Sequence, residues 1–566
     1  MIDYKLKVAE LFSGLVNDVT MEDIYGMVEI PPSSQLGDFA VPCFRFAKVM
    51  RKSPNLIAET IASQIPADEN FDKVTNEGPY VNFFVSKTSF TKDILTEIVD
   101  KKEKYGSKDI GQGRSVIVEF SSPNIAKPFH IGHIRTTIIG NVLYKIYKFM
   151  GFNAIAINHL GDFGTQFGML ISAYKKWGVK EDIEQNPIPE LLKLYIRFNE
   201  EAEKNPELID EARYWFKELE NGNEEAIGLW QWFKDVSMIE FNRVYKMLGI
   251  KFDSFAGESF YSDKMPRVIE ELIQKDLLVD SQGAKIVDLS AFDMPSPLIQ
   301  KSDGSTLYIT RDIAAAIYRK ETYDFYKNIY VVAAQQNLHF QQWMKIVELM
   351  GYEWASDCLH VPFGMVSLEE GTLSTRKGRV VFLEDVLKKA VEKTLEIINE
   401  RNPGLENKED VAKKVGIGAV LFQELYNNRI KDYTFSWEKT LSFEGETGPY
   451  AQYTYARTCS ILNKYGKKVS TNVDYNLIKD DKEFEVIKAL SNFGEVIESS
   501  MEKNEPFYIT RYIIDLAQKF NKFYNNCHIL VEDEELMKSR VLLTYAVNIT
   551  IKNGLDLLGI EAPEKM

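Results

Sequence analysis

The sequence predicts an α/β domain with a parallel, doubly wound sheet, preceded by a small α+β domain and followed by an all-α domain. The central domain is predicted by an apolar segment at 116–120, a helical pattern at 134–150 and a second apolar segment at 154–157, in strand, helix, strand order. After about residue 390 the strand patterns cease and amphipathic helical patterns follow. A chain of 566 residues also exceeds what one hydrophobic core usually supports.

The first domain, residues 1–107, combines a helical opening with the segment 38–42 and a strand-like segment at 80–85. A polar, glycine-containing linker separates it from the next domain. Neighbouring side chains of a strand point to opposite faces, so at least one of Phe83 and Phe84 belongs to the core. The other ring is left open to either core packing or contact with RNA.

The central domain, residues 108–390, has further strand candidates at 329–333 and 360–366. A charged helical stretch at about 171–282 interrupts it, and we interpret this stretch as an insertion whose tryptophans pack helices together. Those tryptophans are Trp215, Trp230 and Trp232. The chain lacks GxGxxG after the first strand, which distinguishes its predicted nucleotide site from a dinucleotide fold.

Composition limits the possible functions. The N-terminus has no apolar signal segment and no stretch is long and apolar enough for a membrane span, so we expect a cytoplasmic protein. The four cysteines lack CxxC spacing, which argues against a disulfide framework and against a cysteine zinc site. The formal charge of −15 neither supports nor excludes RNA binding, because local basic patches suffice for phosphate contacts.

The most informative segment is SSPNIAKPFHIGH, which lies between the first predicted strand and the helix that follows. His130 and His133, with Gly132 between them and Lys127 upstream, stand where a helix N-terminus already favours an anion. This arrangement predicts binding of a triphosphate for adenylyl transfer. The alternatives are a zinc pair and two surface histidines on a turn.

This segment resembles the HIGH signature of class I aminoacyl-tRNA synthetases, and its longer form is similar to that of arginyl-tRNA synthetases. The resemblance continues, in order, through 158–166, 252–259, 308–312, 446–450 and 559–566. It implies a Rossmann-like catalytic domain, an N-terminal domain that contacts the tRNA elbow and, at 391–566, an anticodon-binding domain.

The resemblance implies that ATP with Mg²⁺ activates L-arginine to arginyl-adenylate, which is then transferred to the 3′-terminal adenosine of tRNA(Arg). No zinc and no membrane are expected to take part, and we expect a monomer. Because the arginine carboxylate attacks the α-phosphorus directly, catalysis depends on positioning and charge neutralisation. We expect His130 and His133 to be cationic donors to ATP, and Gly132 to leave room for adenine.

A second class I motif, KMSK, corresponds to residues 371–378, but Thr375 occupies its lysine position. Arginyl enzymes of this type resemble the present chain in carrying a lysine just before the first signature histidine, so Lys127 is expected to take the catalytic role. The assisting residues are expected to be Ser374, Arg376 and Lys377. The alternative is that Lys127 is a solvated loop charge.

A guanidinium group is best held by bidentate carboxylates. Asp312 and Glu258 correspond to acceptor positions of the family, and Tyr308, one helical turn before Asp312, is placed to cover the guanidinium plane. Alternatively, Asp312 caps a helix at 313–320 or pairs with Arg311. The resemblance assigns the rest of the arginine site to Glu119, Asn124, His159 and Gln336.

The C-terminal domain carries aromatic and basic residues of the kind that bind unpaired RNA bases. The resemblance assigns tRNA binding to Tyr450, Tyr453, Arg457, Tyr524 and Met566. The alternative is that the rings are spacers in a helical core.

Three other functions compete with this interpretation. A short adenylyltransferase with the same HxGH pattern would lack the helical C-terminal domain. A cysteinyl enzyme would carry zinc-binding cysteines. A degenerate relative that binds RNA without activating an amino acid would be expected to have lost some of the residues that are intact here.

Overall fold

The computed structural model describes residues 3–16, 19–302, 308–368 and 381–566, without the side chains of Ser34 and Leu368. The strands are β1 Phe39–Pro42, β2 Phe71–Glu77, β3 Tyr80–Val85, β4 Ser115–Glu119, β5 Asn153–Ile157, β6 Leu278–Ser281, β7 Ala284–Val287, β8 Leu298–Gln300, β9 Lys327–Ala333, β10 Cys358–Phe363, β11 Val366–Leu368 and β12 Tyr433–Phe435.

The helices are α1 Tyr4–Ser13, α2 Met21–Met27, α3 Ala47–Met50, α4 Pro54–Gln64, α5 Lys87–Lys101, α6 Ile134–Phe149, α7 Thr165–Trp177, α8 Lys180–Gln185, α9 Pro187–Lys204, α10 Glu207–Glu220, α11 Glu224–Met247, α12 Met265–Gln274, α13 Tyr308–Tyr323, α14 Asn337–Leu349, α15 Leu383–Arg401, α16 Lys408–Tyr426, α17 Trp437–Thr440, α18 Gly448–Tyr465, α19 Asp481–Ser491, α20 Phe493–Glu502, α21 Phe507–Asn526 and α22 Glu534–Leu557. Short 3₁₀ turns join several of them.

The chain divides into two compact units, and several C-terminal helices contribute to both. The first unit comprises residues 1–105, 454–493 and 515–553. Its antiparallel sheet has the order β1-β3-β2 and packs against α1 and α4 through a core that includes Phe12 and Phe83. The N-terminal segment is therefore α+β, as predicted. Of the two neighbouring rings Phe83 and Phe84 on β3, Phe83 is the fully buried one.

The second unit comprises residues 106–453, 494–514 and 554–566. Its central sheet is parallel and has the order β10-β9-β4-β5. Strand β4 is apolar and fully buried from Val116 to Val118, as is typical of a parallel strand covered on both faces. The predicted strand, helix, strand order of β4, α6 and β5 is confirmed.

Two predictions about strands are wrong in detail. The segment 360–366 is not one strand, because the chain leaves the sheet after Phe363 and pairs again as β11 with β12. The antiparallel sheet β6-β7-β8 begins inside the stretch interpreted as helical. Its strands span only three or four residues each, which is too short for a clear alternation of apolar and polar residues.

Two further properties concern the described part of the chain. No helix in it is long and apolar enough to cross a membrane. All four cysteines lie in it, and no disulfide joins them.

Candidate active site

The candidate site lies at the carboxyl ends of three neighbouring parallel strands. Strand β4 ends at Glu119, β5 ends just before Asn158 and His159, and β9 is followed by a turn that contains Gln336. The chain runs from β4 to β5 on one side, whereas β9 pairs with β4 on the other. Such a switch point opens a crevice in an α/β sheet, and ligands bind there.

The loop after β4 has an unusual backbone. Ser121, Ser122 and Ala126 have φ values of 71°, 48° and 60°, in the left-handed region that side chains other than glycine seldom adopt. Hydroxyl groups hold this loop in place: the Ser121 N–H donates to Thr136 Oγ1 at 3.0 Å, and the Ala126 N–H donates to Ser237 Oγ at 2.9 Å. Non-glycine residues in this conformation cluster at functional sites.

The two signature imidazoles lie side by side at the start of α6, with ring centroids 4.1 Å apart. His130 Nδ1 accepts the Gly132 N–H at 3.0 Å, and His133 Nδ1 accepts the His130 N–H at 3.2 Å. Because each Nδ1 is an acceptor, the proton of each neutral ring lies on Nε2. Each ring therefore carries an Nε2–H group that can donate a hydrogen bond.

The expectation that these histidines are cationic is wrong for the free protein. Burial lowers the pKa of His130, and burial together with the neighbouring His130 ring lowers the pKa of His133 to about 3. Both imidazoles are consequently neutral near pH 7. They act as fixed hydrogen-bond donors at the helix terminus and bring no net charge.

Gly132 has a local reason to be glycine. A Cβ atom at this position would lie 2.7 Å from Cε1 of His130. The missing side chain therefore permits the turn that joins the two histidines, a role that does not depend on adenine.

Lys127 is half-buried, and its Nζ lies 5.7 Å from the ring centroid of Tyr195 on α9. Burial lowers its pKa, while the Glu258 carboxylate acts in the opposite direction. The interpretation of Lys127 as a solvated loop charge is therefore wrong. This cation is partly desolvated and shares an electrostatic environment with the predicted arginine site.

Glu258 follows Gly257, whose lack of a side chain permits close packing against the β5 loop: a Cβ would lie 2.6 Å from the Leu160 carbonyl oxygen. Its Oε2 lies 3.3 Å from Nη1 of Arg311. Burial raises the pKa of Glu258 to about 7; Arg311 opposes this shift and Asp312 adds to it. The two predicted guanidinium acceptors are thus close enough to influence each other.

Asp312 lies inside helix α13, four residues after its first residue, Tyr308. It is therefore not a helix cap, and the alternative pairing with Arg311 is also wrong, because Arg311 pairs with Glu258. Asp312 Oδ2 lies 2.5 Å from Nε2 of His339, whose ring centroid is 4.9 Å from that of Tyr308. Tyr308 and Asp312 share one face of α13, as predicted from their spacing.

Glu119 at the end of β4 is already paired. Its Oε2 lies 2.6 Å from Nη1 of Arg319, a fully buried residue of α13. Arg319 Nη2 lies 3.4 Å from Nδ1 of His159, and the His159 ring stacks on Tyr261 with centroids 5.5 Å apart. Glu119 and His159 therefore belong to one buried network at the site.

Asn124 and Gln336 are both exposed. A Cβ on Gly161 would lie 2.1 Å from Asn124 Oδ1, so the glycine of the second motif permits the asparagine to lie against the β5 loop. Asp162 of the same motif is fully buried, and its Oδ2 contacts Lys234 Nζ and Ser259 Oγ at 2.7 Å and 2.8 Å. These contacts join the loop after β5 to the segment that carries Glu258.

The predicted tRNA-binding residues are divided between the two units. In the first unit, the Arg457 guanidinium lies over the Tyr524 ring at 4.9 Å and donates to Asn521 Oδ1. Tyr524 is 40% exposed. Tyr450, Tyr453 and Met566 belong to the second unit.

Among these residues of the second unit, Tyr453 is exposed and Tyr450 is half-buried. Met566 packs against the cluster of Ile398, Val411 and Val415 on α15 and α16. Part of its side chain therefore serves the packing of these two helices.

Ser374, Arg376 and Lys377 lie outside the described residues. Sequence reasoning missed Arg319 and His339, which contact the predicted residues Glu119 and Asp312, and Lys234, which contacts Asp162 of the second motif. The sequence offered only a weak indication of His339, which lies three residues, about one helical turn, after the predicted residue Gln336. The others come from distant parts of the chain, which one sequence does not connect.

Three family models together match most of the chain. Residues 94–437 match the catalytic domain of class I tRNA synthetases (R), residues 451–566 match the DALR anticodon binding domain, and residues 5–85 match the N-terminal domain of arginyl tRNA synthetase. The first model alone covers more than half of the sequence.

Curated relatives and solved structures agree with these models. The chain is 64% identical to an arginine–tRNA ligase of Halothermothrix orenii and 59% identical to one of Clostridioides difficile, over 100% of each chain. The arginyl-tRNA synthetase structure of Thermus thermophilus matches with a TM-score of 0.81 at 24% identity, covering 100% of both chains. That of Plasmodium falciparum matches with a TM-score of 0.77 at 25% identity, covering 100% of this chain and 98% of the other.

Proposed function

Because the chain belongs to the arginyl-tRNA synthetase family, we propose that it activates L-arginine with ATP and transfers the arginyl group to the 3′-terminal adenosine of tRNA(Arg). The observation that carries this proposal is the cluster at the carboxyl ends of β4, β5 and β9. There, His130 and His133 each present an Nε2–H donor. The half-buried Lys127 and Glu258 influence each other electrostatically, as do Glu258 and Asp312.

In the activation step the arginine carboxylate attacks the α-phosphorus and pyrophosphate leaves. His130 and His133 donate to phosphate oxygens from fixed positions at the helix N-terminus, where the amides and the dipole also favour negative charge. Lys127 supplies the positive charge that the histidines lack. A partly desolvated cation interacts more strongly with charge that develops on the leaving pyrophosphate than a solvated one does.

ATP is expected to bind as its Mg²⁺ complex, and we expect no zinc. Ser374, Arg376 and Lys377 remain the expected assistants of Lys127 on sequence grounds alone.

The arginine site is proposed to use Asp312 and Glu258 as acceptors for the guanidinium group. Tyr308 covers its plane, and His339 orients the Asp312 carboxylate through the contact at Oδ2. The α-amino and carboxylate groups are proposed to lie near the loop after β4, and the residues assigned to them are Glu119, Asn124 and Gln336. His159 is proposed to line the same site from the adjacent motif. The pairing of Glu119 with Arg319 favours an indirect role for Glu119.

Transfer RNA is proposed to contact the C-terminal region through Tyr450, Tyr453, Arg457, Tyr524 and Met566, of which Tyr453 and Tyr524 are exposed. The support is strongest for Arg457 and Tyr524, whose stacked arrangement offers a planar cation beside a ring. Contact of the N-terminal domain with the tRNA elbow, a cytoplasmic location and a monomeric state stay predictions.

The proposed function is tested by ATP–pyrophosphate exchange with arginine, measured with and without tRNA(Arg). Lysine and citrulline are the matched controls, because lysine keeps the charge without the planar fork and citrulline keeps the shape without the charge. Of these three amino acids, we expect only arginine to support exchange in the presence of tRNA(Arg), followed by arginylation of the tRNA. The reaction without tRNA shows whether activation requires it. More efficient charging of another amino acid would overturn the proposal.

A further inference from the structure

An ion pair between Arg135 and Glu424 is almost completely buried in the second unit. Arg135 Nε lies 2.6 Å from Glu424 Oε1, and the two side chains are 1% and 0% exposed. Within the described part of the chain, Arg135 Nη2 is buried without a hydrogen-bond partner. Buried pairs are often no more stabilising than apolar side chains of similar volume, and an unsatisfied donor adds a cost. A contribution to the stability of the fold therefore does not explain well why this ion pair is present.

The position of Arg135 indicates a different role. It is the second residue of α6, directly after the turn that carries His130 and His133. Its Nη1 donates to the Lys431 carbonyl oxygen at 2.8 Å, while its Nε contacts Glu424 on α16. One planar guanidinium thus holds the start of the signature helix against two other segments.

Strand β12 is joined to the same cluster. The Tyr433 hydroxyl donates to Glu424 Oε2 at 2.7 Å, and the Arg135 guanidinium lies 5.3 Å from the Tyr433 ring centroid. Burial and the Glu424 carboxylate hold the pKa of Tyr433 well above its usual range, so the hydroxyl keeps its proton. The cluster therefore contains a closed set of contacts between α6, α16 and β12.

The cluster also reaches the chain that leaves the central sheet. Strand β12 pairs with β11, with Tyr433 opposite Val366. Just before β12, Asp432 Oδ1 accepts the Met365 N–H at 2.6 Å. A Cβ at Gly364 would lie 2.5 Å from the same oxygen, so this approach requires glycine. Strand β11 is thus held to the segment that Arg135 contacts.

We propose that Arg135 is a positioning residue for amino-acid activation, which with Glu424 and Tyr433 fixes the His130 and His133 donors relative to strands β11 and β12. The inference rests on the proposed function. A guanidinium suits this role because its donors diverge in one fixed plane. Small displacements of catalytic groups reduce rates strongly, even when the substituted residue is remote from the reacting atoms.

The main test is the double variant Arg135→Met/Glu424→Leu, because removing both charges avoids leaving one of them buried alone. We expect it to melt within a few degrees of wild type and to keep its KM for arginine within about twofold. The turnover of ATP–pyrophosphate exchange should fall about tenfold to hundredfold. Tyr433→Phe, which keeps the ion pair, should show a smaller loss of the same kind.

Ile146→Ala is the matched control for general destabilisation. Ile146 is fully buried on the same helix, about 16 Å along its axis from Arg135. This variant should melt at a lower temperature without the loss of turnover. An equal loss of turnover in the control would overturn the inference, because weakening α6 in general would then explain the effect.

A folded double variant with wild-type turnover would also overturn the inference. If the double variant does not fold, Tyr433→Phe decides, and wild-type turnover in that variant contradicts the proposal. The wild-type protein separates the two claims. If wild type shows no arginine-dependent exchange even with tRNA(Arg) present, the proposed function fails and the inference with it. Normal wild-type exchange with unaffected variants overturns the inference alone.

Discussion

Arg311 Nη1 lies 3.3 Å from Glu258 Oε2, so an arginine of the protein contacts a carboxylate proposed to bind the substrate arginine. The pair belongs to a site where burial and Asp312 raise the pKa of Glu258 to about 7 despite the opposing effect of Arg311. Glu258 consequently changes charge within the physiological range. We therefore expect its charge to affect how well the proposed site accepts a guanidinium group.

The first prediction is that kcat/KM for arginine falls by about tenfold between pH 8 and pH 6, as expected for one essential group with a pKa near 7. Glu258 is ionised above this pKa and accepts the guanidinium donors, whereas protonation at lower pH removes that charge. Exchange measured over this range checks the slope. His130 and His133 contribute little to it, because burial lowers both of their pKa values.

The control for this profile is Glu258→Gln, which keeps the shape and removes the titration. It should bind arginine more weakly at pH 8 and show a flatter profile below it. If the variant keeps the wild-type slope, the titrating group is a different one.

The second prediction concerns Lys127→Ala. The positive charge of Lys127 should matter most when pyrophosphate departs. In the alanine variant, turnover in exchange should therefore fall by an amount equivalent to about 2–4 kcal/mol of transition-state stabilisation, while KM for arginine changes little. Lys127→Arg, which keeps the charge, should retain more activity than Lys127→Ala. An unchanged rate in the alanine variant would shift the role to Arg376 or Lys377.

The third prediction is that Asp312→Asn raises KM for arginine and leaves KM for ATP nearly unchanged, because the lost charge-assisted bonds belong to the guanidinium group. Discrimination between arginine and citrulline should shrink. His339→Gln should show a smaller change in the same direction, since His339 holds Asp312 at 2.5 Å. Wild-type arginine kinetics combined with a lower melting temperature would limit Asp312 to a structural role.

The sequence predicted those parts of the site whose residues lie close together in one segment of the chain. The strand, signature turn and helix at 116–150 form one continuous motif, and Tyr308 and Asp312 share a helical face because of their spacing. The charge of His130 and His133 was not predictable in this way. It depends on burial by surrounding segments, and burial is a property of the folded chain.

Ion pairs between residues far apart in the chain could not be predicted from the sequence either. Arg319 with Glu119 and Arg135 with Glu424 join positions that are 200 and 289 residues apart. A single arginine in a helical pattern looks like a solvated charge, and only the packed structure shows that Arg135 and Arg319 are buried. The sheet β6-β7-β8 was missed because its strands are too short for a clear period.

The last prediction concerns Tyr524, whose ring is 40% exposed and lies beneath the Arg457 guanidinium at 4.9 Å. If this pair binds an unpaired base, Tyr524→Ala should raise KM for tRNA about tenfold to hundredfold, because a base–aromatic stack contributes roughly 1–3 kcal/mol. Turnover at saturating tRNA should stay near wild type. Tyr524→Phe is the matched control, since it keeps the ring face. A lower melting temperature with an unchanged dependence on tRNA concentration would show that this ring serves packing, and would place the RNA-binding surface elsewhere.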